Sequence, residues 1–256
     1  MTPGSVAFIG AGPGAADLIT LRGARLLAQA DAVLFDALTD PALRELAPQA
    51  RWIDVGKRGF EHATAQTRID ALLVSLARAG HRVVRLKGGD PSVFGRLEEE
   101  LLALRAAGIP SEVVPGVTAA LAAAAHTQQP LTRRGRGRSV SLTTAMTQAG
   151  ELQASGTAQR TDTEVFYMAG RQLAALGRAL RRAGWAADTP ASVVSRAGCA
   201  DALASQHALA DLAQAALLHS GRPAVVIVGA GAAALPGSEP ASLAALAPRR
   251  RVGLVA

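Results

Sequence analysis

Short apolar runs that end in glycine alternate with stretches of helical periodicity, and this rhythm constrains the fold more than any other feature of the chain. "SVAFIG" (5–10) precedes "TLRGARLLAQA" (20–30), in which Leu21, Ala24, Leu27 and Ala28 share a helical face behind Thr20 as N-cap. "AVLF" (32–35), ended by Asp36, and "RWIDVG" (51–56) read as further strands. "QTRIDALLVSLARAG" (66–80) is a helix closed by Gly80 at C′, and "RVVRL" (82–86) is the next strand. "RLEEELLALRAAG" (96–108) and "VTAALAAAAH" (117–126) are helices flanking the strand in "SEVVPG" (111–116). Strands alternating with helices of this length predict an α/β fold with a mostly parallel sheet.

"QQPLTRRGRGRS" (128–139) breaks the rhythm with proline, glycines and arginines. It is expected to link an N-terminal α/β lobe (1–129) to a second, mixed α/β lobe (139–235), with 130–138 as linker and 236–256 as a tail. In the second lobe "SVSLTTA", "TEVFYMAG", "PASVVSRAG" and "PAVVIVGAG" read as four strands, with helices near 171–183 and 208–219. "QAGELQASGTAQRT" is turn-rich and reads as a mobile loop.

Of the 256 residues, 49% are hydrophobic and 18% charged, enough to bury a core and too few charges for a disordered chain. No apolar run reaches membrane-span length, and the N-terminus has no basic start of the secretory kind. The lone Cys199 allows no internal disulfide, and five scattered histidines have no metal-ligand spacing. A cytoplasmic enzyme without a metal is expected. The net charge of +7 is carried by arginine, since Lys57 and Lys87 are the only lysines.

"GAGPGAADLIT" (10–20) satisfies the dinucleotide fingerprint, and Asp36 stands where a ribose-binding acid belongs. Yet Pro13 removes a backbone donor, and the helix begins only near Thr20, so no helix end faces a pyrophosphate. A nicotinamide oxidoreductase is therefore a minor alternative. In "VVRLKGGDPSVFG" (83–95), Asp90 and Pro91 make an ordinary N-cap and first helical residue. Gly88 and Gly89 are not explained that way. With Gly10–Gly14 and Gly116 they mark three strand ends, where an open α/β sheet binds its ligand. A pocket walled by main chain is expected, suited to a small polar ligand other than a polyphosphate.

"GAGPGAADLITLRGARLLAQADAVLFDAL", "VGKRGFEH", "VVRLKGGDPSVFGR", "EVVPGVTAALAAAA", "PLTRR", "VFYMAG" and "TPASVVSRAG" follow one another in order. On these seven motifs the chain resembles the tetrapyrrole methylases, over roughly residues 5–230. The resemblance implies S-adenosylmethionine as methyl donor, a cleft between two α/β lobes, a homodimer, and a tetrapyrrole acceptor; neither nucleic acid nor membrane is expected as partner. Carried over residue by residue, it assigns the donor to Pro13, Gly88, Gly89, Asp90, Val93, Thr118, Ala119, Met168 and Ala197. It offers Asp36 as proton acceptor and Lys57 as proton donor, with Arg96 as a further catalytic candidate and Glu99 on the substrate side. Val93 and Met168 have core packing as their plain alternative.

The expected reaction is double C-methylation of uroporphyrinogen III to precorrin-2, with a methylase of a later corrin precursor or an RNA methylase of the same fold as alternatives. Arg133 and Arg134, with Arg136 and Arg138 beside them, would pair with the substrate's rim carboxylates. Aromatic residues are only 3% of the chain, which leaves little stacking surface for single-stranded nucleic acid. Leu97-Glu98 replaces the family's usual glycine pair and is expected to lengthen the helix. Arg133 stands where histidine is usual, and "SLTTAMTQ" is atypical as well.

Overall fold

The structure is a computed structural model that describes residues 4–56, 66–145 and 160–236. Lys57, most of the turn-rich segment 148–161 and nearly all of the tail lie outside the described residues. By internal contacts the chain divides after Thr118 into two compact units, Met1–Thr118 and Ala119–Ala256. Helix α4 (Ala119–Thr127) and the arginine-rich segment 130–138 both count with the second unit.

The first unit holds strands β1 (Ser5–Gly10), β2 (Ala32–Phe35), β3 (Arg51–Asp54), β4 (Arg82–Lys87) and β5 (Ser111–Val114). They form one sheet in the order β3-β2-β4-β1-β5, and each pairing is parallel. Both faces are covered, as a parallel sheet requires. Leu27, from α1 (Leu21–Leu27), joins Ile9, Val33, Val84 and Leu86 on one face. Ile69 and Leu73, from α2 (Gln66–Arg78), and Leu104, from α3 (Leu97–Ala106), join Val6, Phe8, Leu34 and Val83 on the other. The chain therefore leaves β1 over one face and leaves its neighbour β4 over the opposite face. Such a reversal opens a crevice at the carboxyl ends of the two strands.

Thr20 caps α1, its hydroxyl accepting from the Gly23 N–H at 3.1 Å, as expected. The predicted apolar face is corrected: Leu21 is 78% exposed and Ala28 is exposed, while Gly23 and Leu27 are buried. Nor does a helix start at Pro91. Asp90 instead closes a turn, accepting from the Ser92 N–H, and α3 begins at Leu97 after Arg96 in the left-handed region, φ 54°. Gly80 and Gly108 close α2 and α3 at φ 89° and 67°, the conformation glycine adopts without penalty.

The second unit has a mixed sheet, β6-β7-β10-β8-β9, from β6 (Val140–Thr144), β7 (Thr163–Tyr167), β8 (Pro190–Ser195), β9 (Leu203–Ala208) and β10 (Ala224–Gly229). Only β6 and β7 pair in parallel. Helix α5 (Leu173–Arg182) packs Leu173, Leu176 and Leu180 onto Phe166, Val193, Val226 and Val228. The sequence predicts four strands here and the structure has five, β9 being unforeseen. The helix expected near 208–219 is a 3-10 stretch, Leu209–Ala215, running into the short α6 (Ala216–His219).

Strand β9 brings polar groups into the interior. The Arg222 Nε donates to Ser195 Oγ at 3.0 Å, and the same hydroxyl is hydrogen-bonded to His219 Nδ1 at 2.9 Å. The Ser205 hydroxyl bridges His219 Nε2 at 2.9 Å and His207 Nε2 at 2.7 Å. His219 is fully buried, and burial, with the nearby His207 and Arg222, pushes its pKa down to about 4.

Candidate active site

At the carboxyl ends of β1, β4 and β5 the main chain is packed against itself. A Cβ added at Gly10 would stand 2.5 Å from Gly116 Cα, and one at Gly116 would stand 2.3 Å from the Gly89 carbonyl oxygen. Neither position has room for any other residue. Gly12 and Gly89 exchange two backbone hydrogen bonds, Gly89 N–H to Gly12 O at 2.7 Å and Gly12 N–H to Gly89 O at 3.3 Å. Both have positive φ, 79° and 69°. Two carboxylates brace these tips. Asp40 accepts from the Ala16 N–H at 3.2 Å, and Asp90 accepts from the Gly116 N–H at 2.9 Å as well as from Ser92 at 2.8 Å. The Asp90 side chain thus ties β4 to β5 through main-chain donors.

The glycines therefore divide by cause. Gly10 and Gly116 permit main-chain contact, and Gly89 permits a left-handed turn. Gly88 and Gly89 are the least crowded of the glycines at these strand ends: an added Cβ would make only ordinary contact, with Leu38 Cβ at 3.5 Å or Thr118 Cα at 3.9 Å, although Gly89 at φ 69° would be strained by any side chain. At Gly88 a side chain could be accommodated and is absent, which leaves a main-chain cradle. It fits a small ligand lying against main chain. Pro13 and Val93 stand half-buried at the same edge, and Thr118 is buried at the end of the "PGVT" turn, ahead of Ala119.

Asp36 follows β2 on this edge of the sheet. Its Oδ1 accepts from Arg85 Nη2 at 2.6 Å, and its side chain stays 32% exposed. Arg85 Nε donates to Glu100 Oε1 at 2.9 Å, and Glu100 Oε2 accepts from Lys87 Nζ at 2.6 Å. Arg85, Lys87 and Glu100 are all buried, so two cations and two carboxylates form one balanced cluster beneath α3. Burial opposes the Arg85 charge, but Asp36 and Glu100 outweigh it and raise its pKa. Lys87 is shifted down by burial and by Arg85, against the pull of Glu100. Sequence reading missed Arg85, Lys87 and Glu100 as site residues.

Arg96 and Glu99 are brought together, at a cost to their expected roles. Arg96 donates through Nε and Nη2 to both Glu99 oxygens, at 2.7 and 2.6 Å, in an exposed fork. In the second unit Arg133 closes a tight turn with Gly137, and its guanidinium donates to the carbonyls of Ala233 and Ala234. Arg134, at the tip of that turn, is exposed, and its guanidinium meets no acceptor among the described residues.

Met168 is 48% exposed and Ala197 is buried, and both follow strands of the second unit. Among the described residues five that are not glycine have positive φ: Phe94, Arg96, Gln128, Met168 and Arg196. Four of them fall within "VFGR", "YMAG" and "SRAG". Strain of this kind, about 1–3 kcal/mol each, gathers where function requires a particular backbone path. Among the described residues no cluster of His, Cys, Asp and Glu could hold a metal ion. No described helix is long and apolar enough to cross a membrane.

Fold and site together define an α/β transferase that presents bare main chain, in place of a Rossmann helix end, at its switch point. The family described as Tetrapyrrole (Corrin/Porphyrin) Methylases matches residues 5–213, and the chain belongs to it; it is a methyltransferase. Siroheme synthase of Pseudomonas fluorescens (strain Pf0-1) is 44% identical over 233 residues, 90% of this chain and 50% of the relative. Siroheme synthase of Sodalis glossinidius is 43% identical over 88% of this chain and 48% of the relative. The chain thus spans about half the length of the curated relatives it matches. The solved uroporphyrin-III C-methyl transferase of Thermus thermophilus, complexed with S-adenyl homocysteine, superposes with a TM-score of 0.77 at 37% identity, covering 88% of this chain and 97% of that one. A cobalt precorrin-4 methyltransferase superposes at 0.78 with 28% identity, covering 90% of this chain and 96% of that one.

Proposed function

We propose that the chain transfers two methyl groups from S-adenosylmethionine to ring carbons of uroporphyrinogen III, giving precorrin-2. The observation that carries this reading is the open main-chain cradle at Gly88 and Gly89, with a buried-cation-held Asp36 one strand away. When bound, the donor supplies an electrophilic methyl group on a positively charged sulfur. Gly88, Gly89, Val93, Pro13, Thr118 and Ala119 would hold it, largely through backbone atoms. The resemblance adds Met168 and Ala197. Asp90 serves that seat by bracing it, since both its oxygens are occupied by backbone N–H groups.

The acceptor pyrrole is electron-rich and attacks through carbon, so alignment is the main demand; positioning of that kind lowers barriers by about 7–11 kcal/mol. A proton must then leave the macrocycle. Asp36 accepts it, its Oδ1 held by Arg85 Nη2 and its side chain partly exposed. Lys57 is the proposed proton donor. Arg134 binds a rim carboxylate, whereas Arg96, Glu99 and Arg133 reach substrate only by giving up the partners described above. The resemblance further implies a homodimer acting on a small-molecule acceptor.

The likeness to a cobalt precorrin-4 methyltransferase favours a later corrin precursor as the second reading. Incubation with S-adenosylmethionine and uroporphyrinogen III, followed by mass analysis, separates the two: the acceptor gains two methyl groups, and an unchanged acceptor overturns the first reading. Asp36→Ala is expected to reduce turnover about 10²–10⁴-fold with S-adenosylhomocysteine affinity unchanged. Full turnover in that variant would remove Asp36 from the reaction.

A further inference from the structure

Glu100 and Lys87, the deepest members of the buried cluster beneath α3, have no part in the chemistry above, although they hold Arg85, which grips the reacting carboxylate. We propose that Glu100 is a positioning residue for Asp36, acting through Arg85. The inference rests on the reading of Asp36 as proton acceptor.

Every nitrogen of the Arg85 guanidinium has an acceptor. Nη2 donates to Asp36, Nε to Glu100, and Nη1 to the carbonyls of Leu86 and Leu34, at 3.2 and 3.4 Å. Only the two carboxylates are charged acceptors, and only Glu100 is wholly buried. Glu100 sits on α3, and its second oxygen is tied to Lys87 at the end of β4, the residue before Gly88. The guanidinium plane is therefore set by a helix and a central strand rather than by the tip that carries Asp36. With one Asp36 oxygen fixed by that plane, the direction of the other is fixed as well.

The cluster orients and does not relay. A guanidinium cannot release its proton in a protein, so the proton taken by Asp36 cannot pass through Arg85 towards Glu100. It must leave by the exposed side of the carboxylate. Glu100→Gln removes the charged acceptor of both Arg85 Nε and Lys87 Nζ while nearly keeping the side chain's shape.

The test is a double-mutant cycle on the full chain, read by single-turnover methyl transfer to uroporphyrinogen III, with thermal melting as the fold control. Glu100→Gln is expected to slow transfer on the order of 10- to 100-fold, as misalignment does, while the S-adenosylhomocysteine dissociation constant and the acceptor KM stay within about twofold of the parent. In the Asp36→Ala background the same change is expected to have no further effect, because the orientation it disturbs no longer matters. Unchanged turnover in Glu100→Gln overturns the proposal. So does an equal loss in both backgrounds, which would mark a general structural role. If Asp36→Ala alone keeps full rate, the proton-acceptor reading falls and takes this one with it. Should Glu100→Gln fail to fold, Lys87→Met/Glu100→Gln removes one charge of each sign and is put through the same cycle, with the same outcomes deciding.

Discussion

Met168 shows how much a single residue can reveal. It is a large apolar side chain, half-exposed, with φ 58°, and each property alone is unfavourable. An L-residue in the left-handed region costs roughly 1–2 kcal/mol, which glycine would not incur. Met168→Gly is therefore expected to hold or raise thermal stability, by up to about 1 kcal/mol, while weakening S-adenosylhomocysteine binding. Calorimetric melting and titration check the two halves separately; a loss of stability would assign Met168 to packing. Strain was illegible in the chain, since no periodicity marks a positive φ outside glycine. Glu100 was hidden differently. In "RLEEELL" it reads as one of three acids suited to a helix N-terminus, and nothing in that run says which one turns inward. A clue lay on β4. Arg85 and Lys87 are two residues apart in the strand "RVVRLK", so they share a face. Two buried cations on a central strand demand an acid opposite.

Elements carry the stability of the second unit, and β9 is the one the sequence concealed. "LASQHA" alternates weakly because its inward residue is Ser205, placed to join the chain from Arg222 to His207. A polar interior built on neutral imidazoles makes stability depend on pH. The His219 pKa falls from 6.5 to about 4 on folding. Above 6.5 both states are neutral there and stability is full. As pH drops below 6.5 the unfolded chain takes up the proton first, and stability is lost progressively until pH 4, by order 3 kcal/mol in total. His207 is shifted in the same direction, first by burial, and adds to the loss. Urea unfolding across this window is expected to show the slope, and His219→Asn to flatten it. By contrast the first unit was legible almost throughout. Its central strands β2 and β4 are buried on both faces, and α2 and α3 end in glycine, which are the patterns that sequence expresses most clearly.

At the scale of the molecule, charge and chain division say different things about the acceptor. The net charge of +7 lies on arginines, many of which are already committed: Arg82 to Asp31, Arg85 to the buried cluster, Arg96 to Glu99, Arg196 and Arg222 to Asp201. Arg134 is not among them. Arg134→Ala is expected to raise the KM for uroporphyrinogen III about tenfold, as loss of one charged hydrogen bond would, with donor KM and kcat little changed. Steady-state kinetics checks this, and an unchanged acceptor KM would assign Arg134 to bulk solvent. In the segment that carries it, Arg133 and Gly137 pair through their backbones to close a turn, and the segment counts with the second unit.

Where main chain abuts main chain at Gly10, Gly89 and Gly116, selection has almost no vocabulary: hydrogen is the only substituent that fits at two of the three positions. A region like that cannot drift gradually towards a different donor. Enzymes descended from this one would have to diversify at the start of α3, at the arginine turn and on exposed loops, changing what is methylated while what supplies the methyl stays the same.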